Sequence, residues 1–168
     1  MVHALEAVQR QLVEILPRLR RFARTLTRNS HDADDLVQLA VERALSRLDQ
    51  WRPDSRLDSW MFGIIRNAWI DETRARRRRD RVFEPEEAGE HVADAASEAH
   101  IHRLSVEAAL ARLPEEQREV VALVLIEGLA YKEAAAVLDV PIGTVTSRLA
   151  RGREALETLL GGREGGMQ

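Results

Sequence analysis

The chain has 168 residues, no cysteine and a formal net charge of −3, with 45% apolar, 32% charged and 4% aromatic residues. Such an apolar fraction excludes a wholly disordered chain, and the scarcity of β-branched runs favours an all-α fold. Without cysteine there are no disulfides, thiolate metal ligands or thiol nucleophiles, which is typical of a reducing compartment. Neither an export signal nor the ~20 consecutive apolar residues of a membrane span is present, so we expect a cytoplasmic protein.

The charge is divided unevenly along the chain. Residues 1–81 carry 17 arginines and 12 carboxylates, residues 82–105 carry one arginine and six carboxylates, and residues 106–168 carry seven basic and ten acidic side chains. This division predicts two modules joined by an acidic connector.

Two helices are predicted at the start of the basic segment. Residues 8–27 place apolar side chains at helical spacing, and Pro17 predicts a kink or the start of a second helix. The next helix is predicted to begin at Ser30, as its N-cap, followed by aspartates that suit the positive end of a helix dipole. Its predicted core stripe comprises Val37, Ala40, Val41, Ala44, Leu45 and Leu48, and Leu36 and Leu39 fall outside it.

A loop and a third helix complete the segment. Residues 51–59 contain proline and turn formers, and a helix is predicted from about Trp60 into the block of arginines. Residues 82–105 carry a proline, a glycine and many acids, which predicts a flexible linker.

Four further helices are predicted after the linker. The first covers 106–113, and the next begins at Pro114 and ends at Gly128 as a C-terminal cap. Residues 131–138 and 144–160 are then joined by the tight turn "DVPIG", and the tail 161–168 should fray.

The last two helices have the pattern of a helix-turn-helix. Ile142, Val145, Leu149 and Leu156 share one face of the final helix, so we expect them to pack. The opposite face has hydroxyls and arginines that could reach phosphates and base edges in a major groove: Thr144, Thr146, Ser147, Arg148, Ala150 and Arg151. The alternative is an ordinary amphipathic helix with a solvated basic face.

The order of these motifs closely resembles a bacterial RNA polymerase sigma factor of the extracytoplasmic-function (ECF) type. The similar segments are "DADDLVQLAVERALSRLDQW", "SWMFGIIRNAWIDETRARRRR" and "LPEEQREVVALVLIEGLAYKEAAAVLDVPIGTVTSRLARGREAL", which together span about 10–160. The resemblance implies a sigma-two-like domain at 1–81, a linker at 82–105 and a sigma-four-like domain at 106–160. It implies neither catalytic residues nor a cofactor or metal.

By this resemblance, one helix contacts the clamp coiled coil of the largest subunit of core RNA polymerase. The contacting residues would be Asp35, Leu36, Val37, Gln38 and Leu39. Leu36 and Leu39 would then have a use outside the core stripe, although packing against the first helix would also explain them. Leu39 departs from the acid usual in the family.

The resemblance also implies that the loop 51–59 and the following helix capture the minus-ten element as single-stranded DNA with one base turned out. Turning a base out of the DNA stack costs free energy, and stacking that base on aromatic side chains recovers part of the cost. A groove lined by basic side chains would hold the DNA backbone. The residues implied are Trp51, Ser59, Trp60, Arg66, Asn67, Arg74 and Arg77. Trp60 and Trp69 could equally be core residues.

The minus-thirty-five element would be read as duplex by the final helix. Thr144, Thr146, Ser147, Ala150 and Arg151 would face the bases, and Arg148 and Arg153 the backbone. Thr146 departs from the lysine or arginine common in the family, which predicts a weaker contact or a different preferred base.

The partners implied are core RNA polymerase, promoter DNA and an anti-sigma factor, with no small-molecule substrate. The free protein would be a monomer, or a heterodimer with the anti-sigma factor, which could be soluble or membrane-bound. The main alternative is a stand-alone helix-turn-helix regulator, against which the negative charge of 106–168 argues. The histidines are scattered along the chain, which argues against an enzyme. A sheet-based RNA-binding module is disfavoured because the sequence has no strand pattern.

Overall fold

The computed structural model describes residues 2–81 and 98–161, and every regular element within these ranges is a helix. The N-terminal bundle comprises α1 (Val2–Thr27), α2 (Ser30–Ser46) and α3 (Leu57–Asp80). The C-terminal bundle comprises α4 (Glu98–Arg112), α5 (Glu115–Val121), α6 (Tyr131–Leu138) and α7 (Ile142–Gly161). The all-α prediction is confirmed, and none of the described helices is long and apolar enough to cross a membrane.

The predicted linker 82–105 is only partly covered by the described ranges. Residues 82–97 lie outside them, as do residues 162–168 of the predicted fraying tail. Residues 98–105, which the prediction assigned to the linker, form the first part of α4, which begins at Glu98.

The core of the N-terminal bundle is built where α1 and α3 cross. Phe22 and Phe62 are fully buried and meet edge to face, with ring centroids 5.1 Å apart. The guanidinium carbon of Arg18 lies 5.5 Å from the centre of the Phe62 ring, a cation–π contact. Pro17 lies inside α1, which continues as one helix through it.

Helix α2 corrects three details of the sequence prediction. Its N-cap is Asn29, whose side-chain oxygen accepts from the backbone N–H of His31 and Asp32, so Ser30 is the first helical residue. Leu36 is buried, with 5% exposure, and belongs to the core. Leu45 is 42% exposed although the stripe placed it inside. The buried face is thus rotated toward Ala33, Leu36 and Val37.

Two turns of the C-terminal bundle depend on left-handed backbone. Helix α5 continues into a wider π-type turn at Ala122–Ile126, after which Gly128 has φ of 73° and the N–H of Leu129 donates to the carbonyl of Leu123 at 2.9 Å. This is the glycine C-terminal cap expected at Gly128. Asp139 ends α6 with φ of 54°.

Helix α7 packs on α5 through a glycine. A Cβ added at Gly152 would lie 2.7 Å from Cγ2 of Val121, which is itself buried. Val145 and Leu149 are buried on the same helix, whereas Ile142 is 48% exposed and was wrongly predicted to pack. Ile142 is the first residue of α7, where the helix has only just begun to contact its neighbours.

Two glycine-to-alanine substitutions should therefore have opposite effects. Gly152→Ala should lower the melting temperature, because overpacking costs about 1–3 kcal/mol and exceeds the gain of about 1 kcal/mol in helix propensity. Gly63→Ala in α3 meets nothing within 4 Å and should raise the melting temperature through propensity alone. Thermal unfolding followed by circular dichroism measures both. Equal shifts in the same direction would contradict the close packing at Gly152.

Candidate nucleic-acid interface

The residues predicted to capture single-stranded DNA lie along α3 and the segment before it. Trp51 and Trp60 form a tilted pair with ring centroids 6.5 Å apart. The rings of Trp51, Trp60 and Trp69 are half-buried. One part of each ring packs on the core, and the rest reaches the surface. The indole N–H of Trp51 is buried without a hydrogen-bond partner. Core packing and surface exposure are thus combined in the same rings.

The first half of α3 faces the C-terminal bundle. Ser59 Oγ donates to Glu133 Oε2 at 3.0 Å, and Arg66 Nε donates to Glu119 Oε2 at 3.3 Å. Trp69 Nε1 donates to Glu115 Oε1 at 3.3 Å. Asn67, by contrast, is exposed. Two predicted DNA contacts, Ser59 and Arg66, are therefore engaged by carboxylates of the other bundle.

The second half of α3 presents a basic surface. Arg74, Arg77 and Arg78 are exposed and, with Asp71 and Arg81, line a shallow depression. Arg76 differs from them, since it contacts Asp32 of α2 at 3.3 Å and Glu72 at 3.2 Å. Burial alone would lower the pKa of Arg76, but these carboxylates raise it above the ordinary value. Arg76 therefore fastens α3 to α2, and its neighbours have the charge to hold phosphates.

The side chains predicted to read duplex DNA lie on the outer part of α7. Thr146, Ser147, Ala150, Arg151 and Arg153 are exposed, and Thr144 and Arg148 are half-buried. The hydroxyls of Thr146 and Ser147 donate to carbonyls of their own helix at 3.1 Å. Arg148 lies 3.8 Å from Glu116 of α5. The buried Val145 and Leu149 fix the opposite face, so the polar face is free to dock.

The predicted polymerase-binding helix is α2. Asp35 and Gln38 are exposed and Leu39 is half-buried. Leu36 and Val37 are buried in the bundle, which removes their side chains from the candidate contact surface. For Leu36, packing against the core was the correct alternative.

Sequence reasoning missed the buried charged residues, which are Asp58, Arg118, Glu119 and Glu127. Asp58 accepts from Arg56 Nη2 at 2.7 Å, Arg18 Nη1 at 2.8 Å and the backbone N–H of Ser59 at 2.8 Å. Burial would raise the pKa of Asp58, but these donors outweigh it and hold the pKa below the ordinary value. A charged residue inside an apolar run, as in "REVVALVLIEG", was the available signal.

At Glu119 and Arg118, unlike at Asp58, the effect of burial on the pKa outweighs the effect of the neighbouring charges. Burial raises the pKa of Glu119, against which Arg66 is the main compensating charge. Burial lowers the pKa of Arg118, because it disfavours the charged guanidinium. The Nη1 atom of Arg118 donates to the carbonyls of Ala111 and Leu113 at 3.3 and 3.4 Å. Arg118 ties α5 to the end of α4. No group of side chains able to hold a metal occurs in the part of the chain that the structure describes.

Comparison with protein families supports the division into two regions. Residues 12–79 match the family model of Sigma-70 region 2, and residues 94–156 match that of Sigma-70, region 4. The ECF RNA polymerase sigma factor EcfG of Rhodopseudomonas palustris is 36% identical over 155 residues, covering 92% of this chain and 86% of that protein. The ECF RNA polymerase sigma factor SigM of Mycobacterium tuberculosis is 39% identical over 143 residues, covering 85% and 71%.

Two solved structures are similar to this chain over most of its length. The sigma factor RpoE of Bartonella quintana, in complex with the anti-sigma factor NepR, matches with a TM-score of 0.80 and 32% identity over 92% of this chain and 97% of that chain. CnrH, in complex with the cytosolic domain of CnrY, matches with a TM-score of 0.70 and 28% identity over 94% and 90%. Both alignments span the two bundles.

The fold and the two exposed surfaces thus define a transcription initiation factor of the sigma-70 type. Within that class, the chain belongs to the ECF family of RNA polymerase sigma factors. The resemblance found in the sequence is confirmed.

Proposed function

We propose that this sigma factor binds core RNA polymerase through the exposed face of α2 and places two DNA-reading surfaces on the promoter. Asp35, Gln38 and the exposed part of Leu39 make the contact with the clamp coiled coil. Helix α3 captures the minus-ten strand, with Trp51 and Trp60 supplying stacking surface and Arg74 and Arg77 holding phosphates. Helix α7 reads the minus-thirty-five element.

The main support for the duplex-reading role is the outer face of α7. Its small and hydroxyl side chains leave room for close approach to a major groove, and Arg151 is long enough to reach a guanine edge. The C-terminal bundle is acidic as a whole, so α7 gains little from general phosphate attraction. A module of this kind binds productively when the polymerase presents it to DNA.

An anti-sigma factor is the regulator we propose for this chain. RpoE of Bartonella quintana was solved with the anti-sigma factor NepR, and RpoE is similar to this chain across both bundles. The exposed face of α2 is the surface a competitor of the polymerase would cover.

Transcription from genomic DNA fragments tests the function directly. Bacterial core polymerase with this protein should produce a defined set of start sites that core polymerase alone does not produce. Tight, specific DNA binding by the isolated protein, without new start sites, would instead favour a stand-alone regulator.

Asp35→Ala combined with Gln38→Ala should lower the affinity for core polymerase by at least tenfold, because both side chains are exposed on the face of α2 that we propose as the contact. Co-purification with core polymerase and fluorescence titration measure the effect. The matched control is Gln9→Ala with Glu14→Ala on α1, which removes the same two chemistries from another exposed face. Equal losses in both pairs would contradict the assignment to α2.

Arg151→Ala should weaken use of the upstream element by about 10- to 100-fold, since a bidentate base contact is worth about 1–3 kcal/mol. Association with core polymerase should not change. Run-off transcription from promoters with an intact or scrambled upstream element measures the difference. Arg112→Ala, an exposed arginine on α4, is the control for lost charge.

A further inference from the structure

A seam of ion pairs and hydrogen bonds joins the two bundles. On its C-terminal side lie four carboxylates, Glu115, Glu119, Glu127 and Glu133, and each one accepts from the N-terminal bundle. On the opposite side, the donors to these four carboxylates that the structure describes belong to α1, α3 or the residue before α3. The basic character of residues 1–81 and the acidic character of the C-terminal bundle therefore meet at this seam.

The seam has two parts with different partners. Glu127, whose side chain is 1% exposed, accepts from Arg21 Nε at 2.7 Å, Arg21 Nη2 at 2.8 Å and Arg18 Nε at 3.2 Å. These arginines lie on α1 and are not among the predicted DNA contacts. This part anchors one bundle on the other.

The second part covers the DNA-capturing helix. Glu133 lies 3.0 Å from both Ser59 Oγ and Arg56 Nη1, and Glu119 lies 3.3 Å from Arg66 Nε. A carboxylate on a guanidinium or hydroxyl offers the same acceptor oxygens and the same charge sign as a DNA phosphate. Glu119 and Glu133 therefore contact Arg66, Arg56 and Ser59 with the same chemistry that a backbone phosphate would offer.

Because Glu119 and Arg66 are both largely buried, a DNA strand and Glu119 cannot contact Arg66 at the same time. Glu119 is 4% exposed, and the side chain of Arg66 is 19% exposed. A nucleotide strand could not reach Arg66 while Glu119 remains in place. Binding of DNA to the first half of α3 and closure of the seam are alternatives.

We propose that Glu119 and Glu133 act as internal mimics of DNA phosphate, so that the C-terminal bundle closes over α3 and inhibits strand capture until the bundles separate. This rests on the proposed role of α3 in binding the minus-ten strand. The closed form shares its overall arrangement with a sigma factor held by its anti-sigma partner, yet its seam is made entirely by this chain.

The seam is also built to open. Glu119 is a buried carboxylate that lies 3.3 Å from Arg66, and burial raises its pKa although Arg66 and Arg118 both act to lower it. Taking a carboxylate out of water carries a desolvation cost, and the attraction of a partly exposed arginine offsets this cost only in part. A competing partner of either bundle could therefore shift the chain to the open form.

Distance measurement tests closure independently of DNA. The chain has no cysteine, so Ser46→Cys on α2 and Thr158→Cys on α7 allow specific spin labelling at two exposed positions. Double electron–electron resonance on the otherwise unchanged full chain should give one narrow distance. Adding Glu119→Gln and Glu133→Gln should shift a substantial fraction of molecules to longer distances, with helical circular dichroism preserved.

The control pair is Glu154→Gln with Glu157→Gln, two exposed carboxylates on α7 that cause the same change in net charge. It should leave the distance distribution unchanged. A broad, long distribution before any seam substitution, or an identical distribution after it, would overturn the proposal.

Binding of a labelled mixed-sequence single-stranded DNA 12-mer tests the mimicry. The Glu119→Gln and Glu133→Gln variant should bind about 5- to 20-fold more tightly than the control pair. Adding Arg66→Ala to the seam variant should remove most of this gain. Equal affinity of the seam and control variants would overturn the mimicry, whereas a failure of the proposed function would show as missing polymerase-dependent start sites with any variant.

Discussion

Replacing Phe62 with alanine should lower the free energy of unfolding by about 3–5 kcal/mol, the usual cost of removing a buried aromatic ring. Phe62 is fully buried on α3, meets Phe22 of α1 edge to face, and carries the guanidinium of Arg18 over its ring. Both contacts are lost together, and the cavity lies where the helices cross. Denaturant unfolding followed by circular dichroism measures the change.

Leu45→Ala provides the contrast for this experiment. The side chain of Leu45 is exposed on α2, so the change should be within about 0.5 kcal/mol, as for most surface substitutions. A loss at Leu45 comparable to that at Phe62 would show that the N-terminal bundle is packed differently. The Phe62 variant should also lose polymerase-dependent transcription, because α3 would no longer be held against α1.

Replacing Asp58 with alanine should destabilise the protein by about 1.5–3 kcal/mol, because Arg18 and Arg56 each lose a charged hydrogen-bond partner and keep only Glu127 and Glu133, respectively. Asp58 joins Arg18 of α1 to Arg56 before α3 and also accepts from the first turn of α3. Asp58→Asn keeps the shape and part of the hydrogen bonding, and should lose less. Urea unfolding of both variants at neutral pH measures the order. An Asp58→Ala protein as stable as the wild type would contradict the role of this carboxylate.

The same residue predicts a dependence on pH. Since the pKa of Asp58 is lowered in the folded state, its ionised form stabilises the fold above the ordinary aspartate value. That contribution is lost as the pH falls from about 4–5 through the lowered pKa. The stability difference between wild type and Asp58→Asn should therefore shrink on acidification. A difference that stays constant from pH 7 to pH 3 would contradict the prediction.

The helices and the polar faces of the two candidate DNA-reading helices were predictable from the sequence, because they depend on local patterns. Helix α6 begins and ends where its alanine-rich pattern and the following turn formers predicted. Gly128 was predicted as a cap and adopts the left-handed backbone that this role favours. The polar face of α7 was found from its periodicity, since Val145 and Leu149 define the packed side.

Errors occurred where a boundary or a burial depended on a neighbour. Leu36 fell outside a stripe drawn on α2 alone, yet the crossing of α1 and α3 rotates the buried face to include it. Helix α4 extends into residues whose composition predicted a linker. For Leu36, packing overrode a local preference that is itself weak.

The sequence by itself determined the helical class, the order of the two sigma regions and the side chains available to DNA, because periodicity and turn chemistry act over a few residues. The tertiary structure decided which of those side chains are accessible. Arg18 and Glu127 are 109 positions apart, and Ser59 and Glu133 are 74 apart. No local pattern encodes such pairs, since they form only when the packing of the two bundles brings buried carboxylates onto the arginines of α1 and α3.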